Sequence, residues 1–488
     1  MPRIRKLLLT TITSALVAAS LGVAPALASS SQPDYFEGST TLLNAKTRPK
    51  AIAQMKALGV RALRIELYWY DVAPSPSSAA KPTFAATNPG LYAWGAYDTL
   101  IAEAQRLHWK VLLTVTSPVP RWATSNKKAP YVTKPDPKDF EEFMTAVARH
   151  YGPSGTYGST VSLFSIWNEP NHPAFLQPQW NTNGTPASPR VYRALYQAGY
   201  AGLKAGGIAQ PQVLLGETAP TGYEKVNYRR EKAKALLHDV APLLFLRETL
   251  CLNAKYRKSG SCTPLTAAGY AHHAYTTAAG PTYRPPEPDD VTIGVLSRLS
   301  SALGKAFAAH GTTSNLPIYL TEFGVQSKPN RYLGVPVALQ AEFDAISEKI
   351  AWSNSRVAAF SQYLLVDDPL GGKPGSSVNG GTIGFQTGLE YLGGKPKPLY
   401  FAWPVPLVVS RSGAGYSLWG LVRPATGATK LTVLVQPKGS RKYKTLKAVT
   451  TNSLGYWTLH SSSAGAHWRV RWVSPTGVKY EGPPIAAH

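Results

Sequence analysis

VSLFSIWNEPN, residues 161–171, is an apolar run that ends in Asn168 and Glu169 and is stopped by Pro170. Such a run between turn signals is typical of a buried strand, and Pro170 predicts a turn directly after the acid. The stretch PIYLTEFG, residues 317–324, repeats the pattern with Glu322 after its apolar residues. Both stretches therefore predict parallel strands, each with a carboxylate at its carboxyl end.

Six more apolar runs extend this pattern along the chain. The eight predicted strands are 36–43, 61–67, 110–116, 161–168, 212–216, 268–274, 317–322 and 358–365. Amphipathic stretches with helical spacing follow most of them, at 47–58, 96–107, 137–151, 189–205, 291–309 and 336–352. Eight such units predict an α/β fold, a (β/α)8 TIM barrel within residues 29–402. An open doubly wound sheet is the alternative, and the lack of a glycine-rich loop after the first strand disfavours it.

Residues 403–488 have a different pattern. Short β-rich segments such as LTVLVQPKG and HWRVRWVS alternate with Gly, Ser and Asn, which predicts a small all-β sandwich. This segment holds eleven Lys or Arg and one acid, Glu481, in a chain whose formal net charge is +24. A basic surface attracts anions, so the expected partners include an anionic glycan or the cell wall, and we expect no nucleic acid partner.

The first 28 residues have the features of a secretory signal peptide. Arg3, Arg5 and Lys6 precede an apolar run over 7–23, and Ala26-Leu27-Ala28 follows as a cleavage site. We expect cleavage after Ala28 and a secreted, extracellular protein, either diffusible or attached to the wall. An uncleaved anchor helix is the alternative. No later apolar run is long enough for a membrane-spanning helix, so we expect no membrane span after removal of the leader.

The chain contains only two cysteines, Cys251 and Cys262. In an oxidising compartment they can close a short loop as a disulfide. Two buried free thiols are the alternative. Their spacing does not indicate a zinc site, which would need four ligands.

WNEPN after the fourth predicted strand and TEFG after the seventh resemble the motifs of the retaining glycoside hydrolases of clan A. The chain is most similar to family 39, with family 5 close behind, over most of residues 36–370. Arg64 on the second strand and His273-Ala274-Tyr275 after the sixth support the resemblance. It implies hydrolysis of glycosidic bonds in a poly- or oligosaccharide, and this chemistry needs neither a metal nor an organic cofactor.

The resemblance implies a role for each matching residue. Glu169 would be the general acid/base and Glu322 the nucleophile. Asn168 would hold the sugar 2-hydroxyl, and Arg64 and Tyr275 would contact the nucleophile. The full set of expected substrate-binding residues is Asn168, Arg64, His273, Tyr275, Trp122 and Trp69. The two tryptophans are candidates for stacking on sugar rings, with plain packing as the alternative.

The chain also departs from the clan pattern. Its third predicted strand leads into SPVPRW where many members have histidine, and its eighth offers Gln362 and Tyr363 where many have tryptophan. For two further carboxylates, Glu66 and Glu217, we favour ion pairs or hydrogen bonds over substrate contact. A non-catalytic polysaccharide- or wall-binding protein on the same barrel is the alternative function. The presence of both Glu169 and Glu322 argues against it.

Overall fold

The computed structural model describes residues 32–312, 315–369 and 384–488. Eight parallel strands form a closed barrel in which each strand pairs with the next and the eighth pairs with the first. The strands are β1 (Asp34–Glu37), β2 (Ala62–Tyr68), β3 (Lys110–Thr116), β4 (Val161–Ile166), β5 (Val213–Thr218), β6 (Gly269–His272), β7 (Ile318–Leu320) and β8 (Val357–Tyr363). The predicted TIM barrel is confirmed.

The helices lie around the barrel and in the loops between strands. They are α1 (Ser39–Leu42), α2 (Arg48–Leu58), α3 (Trp69–Val72), α4 (Gly95–Arg106), α5 (Pro137–Tyr151), α6 (Ser188–Ala205), α7 (Tyr228–Glu231), α8 (Pro242–Thr249), α9 (Leu296–Ala309), α10 (Val337–Trp352) and α11 (Pro398–Ala402). Among the described residues, no helix combines the length and the apolar character needed to cross a membrane. The predicted signal peptide, residues 1–28, lies outside the described residues.

The first strand corrects the sequence prediction. It was expected over 36–43, but β1 ends at Glu37 and the helical turn α1 follows. Gly38 separates the two elements, and Leu42 is buried because the turn directs it into the core. The threonines in this stretch favour a strand locally, but burial of Leu42 outweighs that preference.

Alternation along the strands determines which side chains reach the active end of the barrel. The inward residues of one apolar layer are Tyr35, Ala62, Leu112, Leu214, Ala271 and Ala359. Because side chains on a strand alternate, positions two residues further along point into the same interior. Most of those positions are polar and hold Glu37, Arg64, Thr114, His273 and Ser361. The alternation thus places a polar layer, with Glu37, Arg64 and His273, next to the apolar layer on the side of the carboxyl ends of the strands.

The C-terminal strands form the predicted sandwich, which is confirmed. They are β9 (Leu407–Ser412), β10 (Gly415–Leu421), β11 (Lys430–Gln436), β12 (Lys444–Thr450), β13 (Tyr456–Ser461), β14 (His467–Val473) and β15 (Lys479–Glu481). One sheet has the order β13-β10-β9 and the other β12-β11-β14-β15. Between them Trp457, Trp468 and Val433 are buried in a separate hydrophobic core.

Arg423, between β10 and β11, inserts into a buried acidic pocket of the barrel. It forms ion pairs with Asp34 and, at 2.9 Å, with Glu348. Its guanidinium lies 3.9 Å from the ring centroid of Trp403, and its Nε donates to the Trp403 carbonyl. Arg423 and Glu348 are both buried, so loss of either partner would leave an uncompensated charge between the two domains.

Two further hydrogen bonds connect the domains at the same end of the barrel. Arg61, just before β2, donates to the carbonyl of Ala425. The Tyr480 hydroxyl donates to the carbonyl of Ala57 in the last turn of α2, at 2.7 Å. With Asp34 at the start of β1, all of these barrel contacts lie where strands begin. The sandwich therefore contacts the end of the barrel where strands begin, and it also packs along α10, where Trp419 lies against Trp352 and His488 pairs with Glu342.

The loop after α8 contains the disulfide. Cys251 and Cys262 are bonded to each other, which confirms the pairing predicted from the sequence. Within the loop, the Ser259 N–H donates to the Cys251 carbonyl at 2.8 Å, so a hydrogen bond also joins its two arms.

Candidate active site

Glu169 and Glu322 face each other at the carboxyl ends of β4 and β7. Between them lies His273, which follows β6 and is fully buried. Its Nδ1 is 2.9 Å from Oε1 of Glu169 and 3.6 Å from Oε2 of Glu322. One ring nitrogen therefore contacts both carboxylates. Two carboxyl groups this close can act on a single bond of a bound molecule.

Arg64 connects most of the charged groups of the site. Its guanidinium has no solvent exposure and bonds to Glu37, to Glu322 at 3.3 Å and to the Asn168 side-chain oxygen at 2.7 Å. Glu217 holds it from the other side with both carboxylate oxygens, at 3.2 and 2.8 Å. A planar guanidinium can make this many bonds because its five N–H groups point in fixed directions.

Glu217 contacts the surroundings of both facing glutamates. Its carboxylate holds Arg64 and also accepts from the Thr114 hydroxyl at 3.0 Å, while its backbone carbonyl accepts from the Glu169 N–H at 3.0 Å. Glu217 has φ 52°, Glu169 φ 36° and Trp167 φ 76°. Left-handed backbone at bulky residues is strained and persists where surrounding contacts fix it, a common feature of functional sites.

Aromatic residues enclose Glu322. The Tyr275 hydroxyl donates to its Oε1 at 2.5 Å. The Tyr275 ring packs against Phe323 and Phe385, whose centroids are 6.1 and 5.9 Å away. Tyr363 at the end of β8 packs edge-on against Phe385. These rings limit the access of water to the carboxylate.

The two glutamates have different proton affinities. Burial raises the pKa of Glu169 to about 7, a rise that His172 opposes. Burial also raises the pKa of Glu322, to about 6, and His273 and Arg64 oppose that rise. Burial lowers the pKa of His273. Near neutral pH, Glu169 can therefore hold a proton while Glu322 is ionised, the division between a proton donor and a nucleophile.

The structure brings together six of the residues predicted from the sequence: Asn168, Glu169, Glu322, Arg64, His273 and Tyr275. For two of them the observed contacts are with the facing carboxylates and not with an open substrate space. Arg64 and His273 are fully buried and contact the carboxylates. Glu217 has the ion-pair role favoured from the sequence.

Trp69 and Trp122 correct the predicted sugar-stacking role. Trp69 is 0% exposed and packs against Trp122, Phe140 and Phe143. Trp122 is 6% exposed, and its indole N–H donates to the carbonyl of Pro74. An indole covered in this way offers no ring face to a sugar, so packing was the correct alternative.

Sequence reasoning missed Glu37 and Phe385. The predicted first strand, 36–43, begins two residues after the start of β1, so Glu37 falls inside it and not at its carboxyl end; the alternation of Glu37 with Tyr35 is the signal that could have found it. Phe385 lies far beyond β8 in a segment without periodicity, so nothing in the sequence indicated its contact with Tyr275.

Comparison with known proteins identifies the family. The protein-family model described as Cellulase (glycosyl hydrolase family 5) matches residues 27–355 of this chain. No curated protein matches the sequence.

Several solved structures are similar. A glucosidase from Croceicoccus marinus has a TM-score of 0.51 and 11% identity, covering 90% of this chain and 95% of that one, and shows the fold. A family 39 glycoside hydrolase from Bacteroides cellulosilyticus WH2 has a TM-score of 0.49 and 14% identity, with 88% and 80% covered. A monomeric beta-xylosidase from Caulobacter crescentus CB15 has a TM-score of 0.49 and 16% identity, with 90% and 95% covered.

The clan A resemblance of the WNEPN and TEFG motifs is confirmed, and the family model matches the family that the motifs placed second. The chain is a glycoside hydrolase and belongs to glycosyl hydrolase family 5.

Proposed function

We propose that this chain is a secreted retaining glycosidase that hydrolyses a poly- or oligosaccharide by double displacement. The main support is the pair Glu169 and Glu322, whose facing oxygens lie 2.9 and 3.6 Å from the same nitrogen of His273. Retaining enzymes place their carboxyl groups about 5–5.5 Å apart, whereas inverting enzymes leave about 6.5–9.5 Å for a water molecule. The distance between the two facing oxygens cannot exceed the sum of their distances to His273 Nδ1. That sum only reaches the lower end of the inverting range. The geometry therefore favours retention.

In the first step, an oxygen of ionised Glu322 attacks the anomeric carbon. The bond from that carbon to the glycosidic oxygen breaks, and Glu169 gives its proton to the departing oxygen. In the second step, the Glu169 carboxylate takes a proton from water, whose oxygen attacks the same carbon and releases Glu322. Arg64 and Tyr275 both bond to Glu322, so they stabilise it as a carboxylate before attack and as a leaving group afterwards.

The experiment that tests this function is product release from a panel of plant and microbial polysaccharides and aryl glycosides, with the anomeric configuration of the first product followed by NMR. Release with retained configuration is expected. An inverted first product would contradict the double displacement. N-terminal sequencing of the exported protein would test the expected cleavage after Ala28.

The pH dependence of kcat/KM should follow a bell with limbs near pH 6 and pH 7. Activity rises as Glu322, whose pKa burial raises to about 6, loses its proton. It falls as Glu169, whose pKa burial raises to about 7, loses its own. Initial rates on one aryl glycoside from pH 4 to 9 would measure both limbs. Undiminished activity above pH 9 would contradict the assignment of Glu169.

The sandwich is proposed to bind an anionic glycan of the cell wall through charge. Arg469, Arg471 and Lys479 all pair with the single acid Glu481, at 3.2, 2.7 and 3.3 Å, so positive charge is in excess there. The sandwich tryptophans are buried and offer no stacking surface for a neutral sugar; they are Trp419, Trp457, Trp468 and Trp472. Charge therefore supports this partner better than ring stacking does.

Neutralising the exposed cations Arg441, Lys442 and Lys444 to glutamine is expected to weaken retention on a polyanionic wall polymer by about tenfold at low salt, and 0.5 M NaCl should remove the difference. Retention on beads that carry an acidic polysaccharide would measure it. The matched control neutralises three exposed barrel lysines, Lys56, Lys110 and Lys204. Equal loss in both triple variants would contradict a specific sandwich surface.

A further inference from the structure

Glu66 is a carboxylate of the active-site mouth that the proposed reaction does not use. It lies on β2 two residues beyond Arg64, so it points into the same interior. Its Oε2 accepts from the Tyr68 hydroxyl at 2.6 Å, and its Oε1 is 3.8 Å from Arg64. Its side chain is 8% exposed and that of Glu322 is 9% exposed, so both open to the mouth to a similar degree.

One oxygen of Glu66 is available to a bound molecule. No donor among the residues that the structure describes forms a hydrogen bond to Oε1, which makes only the longer ion-pair contact with Arg64. The Arg64 nitrogen in that contact, Nη2, also lies 2.7 Å from the Asn168 side-chain oxygen. Because Glu66 Oε1 and the Asn168 oxygen share this nitrogen as a neighbour, one sugar ring can reach both of them.

The mouth carries an excess of negative charge. Its described carboxylates are Glu37, Glu66, Glu169, Glu217 and Glu322. Arg64 pairs with all of them except Glu169, which contacts His273. Burial raises the pKa values of Glu37 and Glu169, which favours their neutral forms. Even with both protonated, three carboxylates remain around one guanidinium. A further carboxylate entering this poorly hydrated space would be repelled.

We propose that Glu66 is a specificity-determining residue that selects a glycosyl unit without an acidic group and rejects uronic acids. Its Oε1 accepts a hydrogen bond from a sugar hydroxyl or from an amino group in the same position. A sugar carboxylate instead meets uncompensated like charge. The inference rests on the proposed glycosidase function and gives Glu66 a substrate contact in addition to the ion-pair or hydrogen-bond role that the sequence favours. It also implies that the two domains bind different glycans. The basic sandwich would bind anionic polymers, and the catalytic mouth would bind glycosyl units without an acidic group.

The test compares two aryl glycosides, the neutral one that the substrate panel shows to be cleaved best and its counterpart with a carboxylate on C5. Wild type is expected to prefer the neutral glycoside by at least about 10²-fold in kcat/KM. Glu66→Gln should lower kcat/KM for the neutral glycoside by about tenfold, chiefly through KM, and reduce the preference by about tenfold. Glu66→Asp keeps the charge and should keep the preference.

The matched control is Glu141→Gln, at an exposed position on α5, which should leave both kinetic ratios unchanged. Urea unfolding would verify that the Glu66 variants are folded. The ratio of kcat/KM for the two glycosides in wild type tests the charge argument without any variant. Equal cleavage of both glycosides by wild type, or an unchanged ratio in folded Glu66→Gln, would overturn the inference alone. Absence of hydrolysis across the whole panel would overturn the proposed function and this inference with it.

Discussion

Replacing Glu322 with alanine is expected to lower kcat by about 10⁴-fold or more while leaving the protein folded. The change removes the atom that would form the covalent intermediate, and removal of a catalytic nucleophile has effects of this size in other hydrolases. Arg64 would keep its ion pairs with Glu37 and Glu217, so no buried cation is left unpaired. Single-turnover and steady-state rates, with urea unfolding as the measure of folding, would test the prediction.

Matched variants distinguish a lost nucleophile from a distorted site. Glu322→Gln keeps the shape and should be as inactive as Glu322→Ala. Azide can occupy the space vacated in Glu322→Ala and should form a glycosyl azide whose anomeric configuration is opposite to that of the substrate. In Glu169→Ala, azide attacks the covalent intermediate and should give the configuration of the substrate. Turnover by Glu322→Ala at the wild-type rate would disprove the mechanism.

Replacing Arg423 with alanine is expected to cost about 3–5 kcal/mol of the free energy of unfolding at pH 8, the range observed when one partner of a buried ion pair is removed. The variant leaves Glu348 and Asp34 buried without their cation. Urea unfolding of the full chain, followed by intrinsic fluorescence, would measure the loss. The control Arg411→Ala removes an exposed arginine of the same sandwich and should change stability by less than about 0.5 kcal/mol.

This loss should depend on pH in a defined direction. Burial raises the pKa of Glu348 to about 8 and that of Asp344 to about 7, above the ordinary values near 4 that apply in the unfolded chain. The folded protein therefore retains protons that the unfolded chain releases, and stability falls as pH rises from about 4 to about 8. Without Arg423 these pKa values rise further. The destabilisation should be largest near pH 8 and much smaller near pH 4.5, and a loss independent of pH would contradict this account.

The barrel and the facing glutamates could be predicted because both follow from local patterns. An apolar run followed by an acid fixes the end of a parallel strand, and a closed barrel brings all such ends together. Glu169 and Glu322 are 153 positions apart in the sequence and yet lie on either side of His273. The prediction that these two glutamates lie close together therefore needed no knowledge of any contact between distant residues.

The parts that escaped prediction depend on long-range contacts. Trp69 follows β2 like a rim residue, but the rings of Phe140 and Phe143 on α5 cover it. Arg423 has nothing in its neighbourhood along the chain that indicates burial against Asp34, 389 positions away. Such pairs are created by the packing of one domain on another, which leaves no periodic signal in either segment.

The attachment of the sandwich at the start of β1 and β2 also sets the orientation of an anchored enzyme. Arg423 and Tyr480 hold the sandwich at the end of the barrel that is remote from Glu169 and Glu322. Because the sandwich also packs along α10, a surface that holds it lies beside the barrel as well as below the strand starts, and it leaves the catalytic opening uncovered. An enzyme held in this way would keep its catalytic opening accessible to glycan chains while the sandwich stays bound.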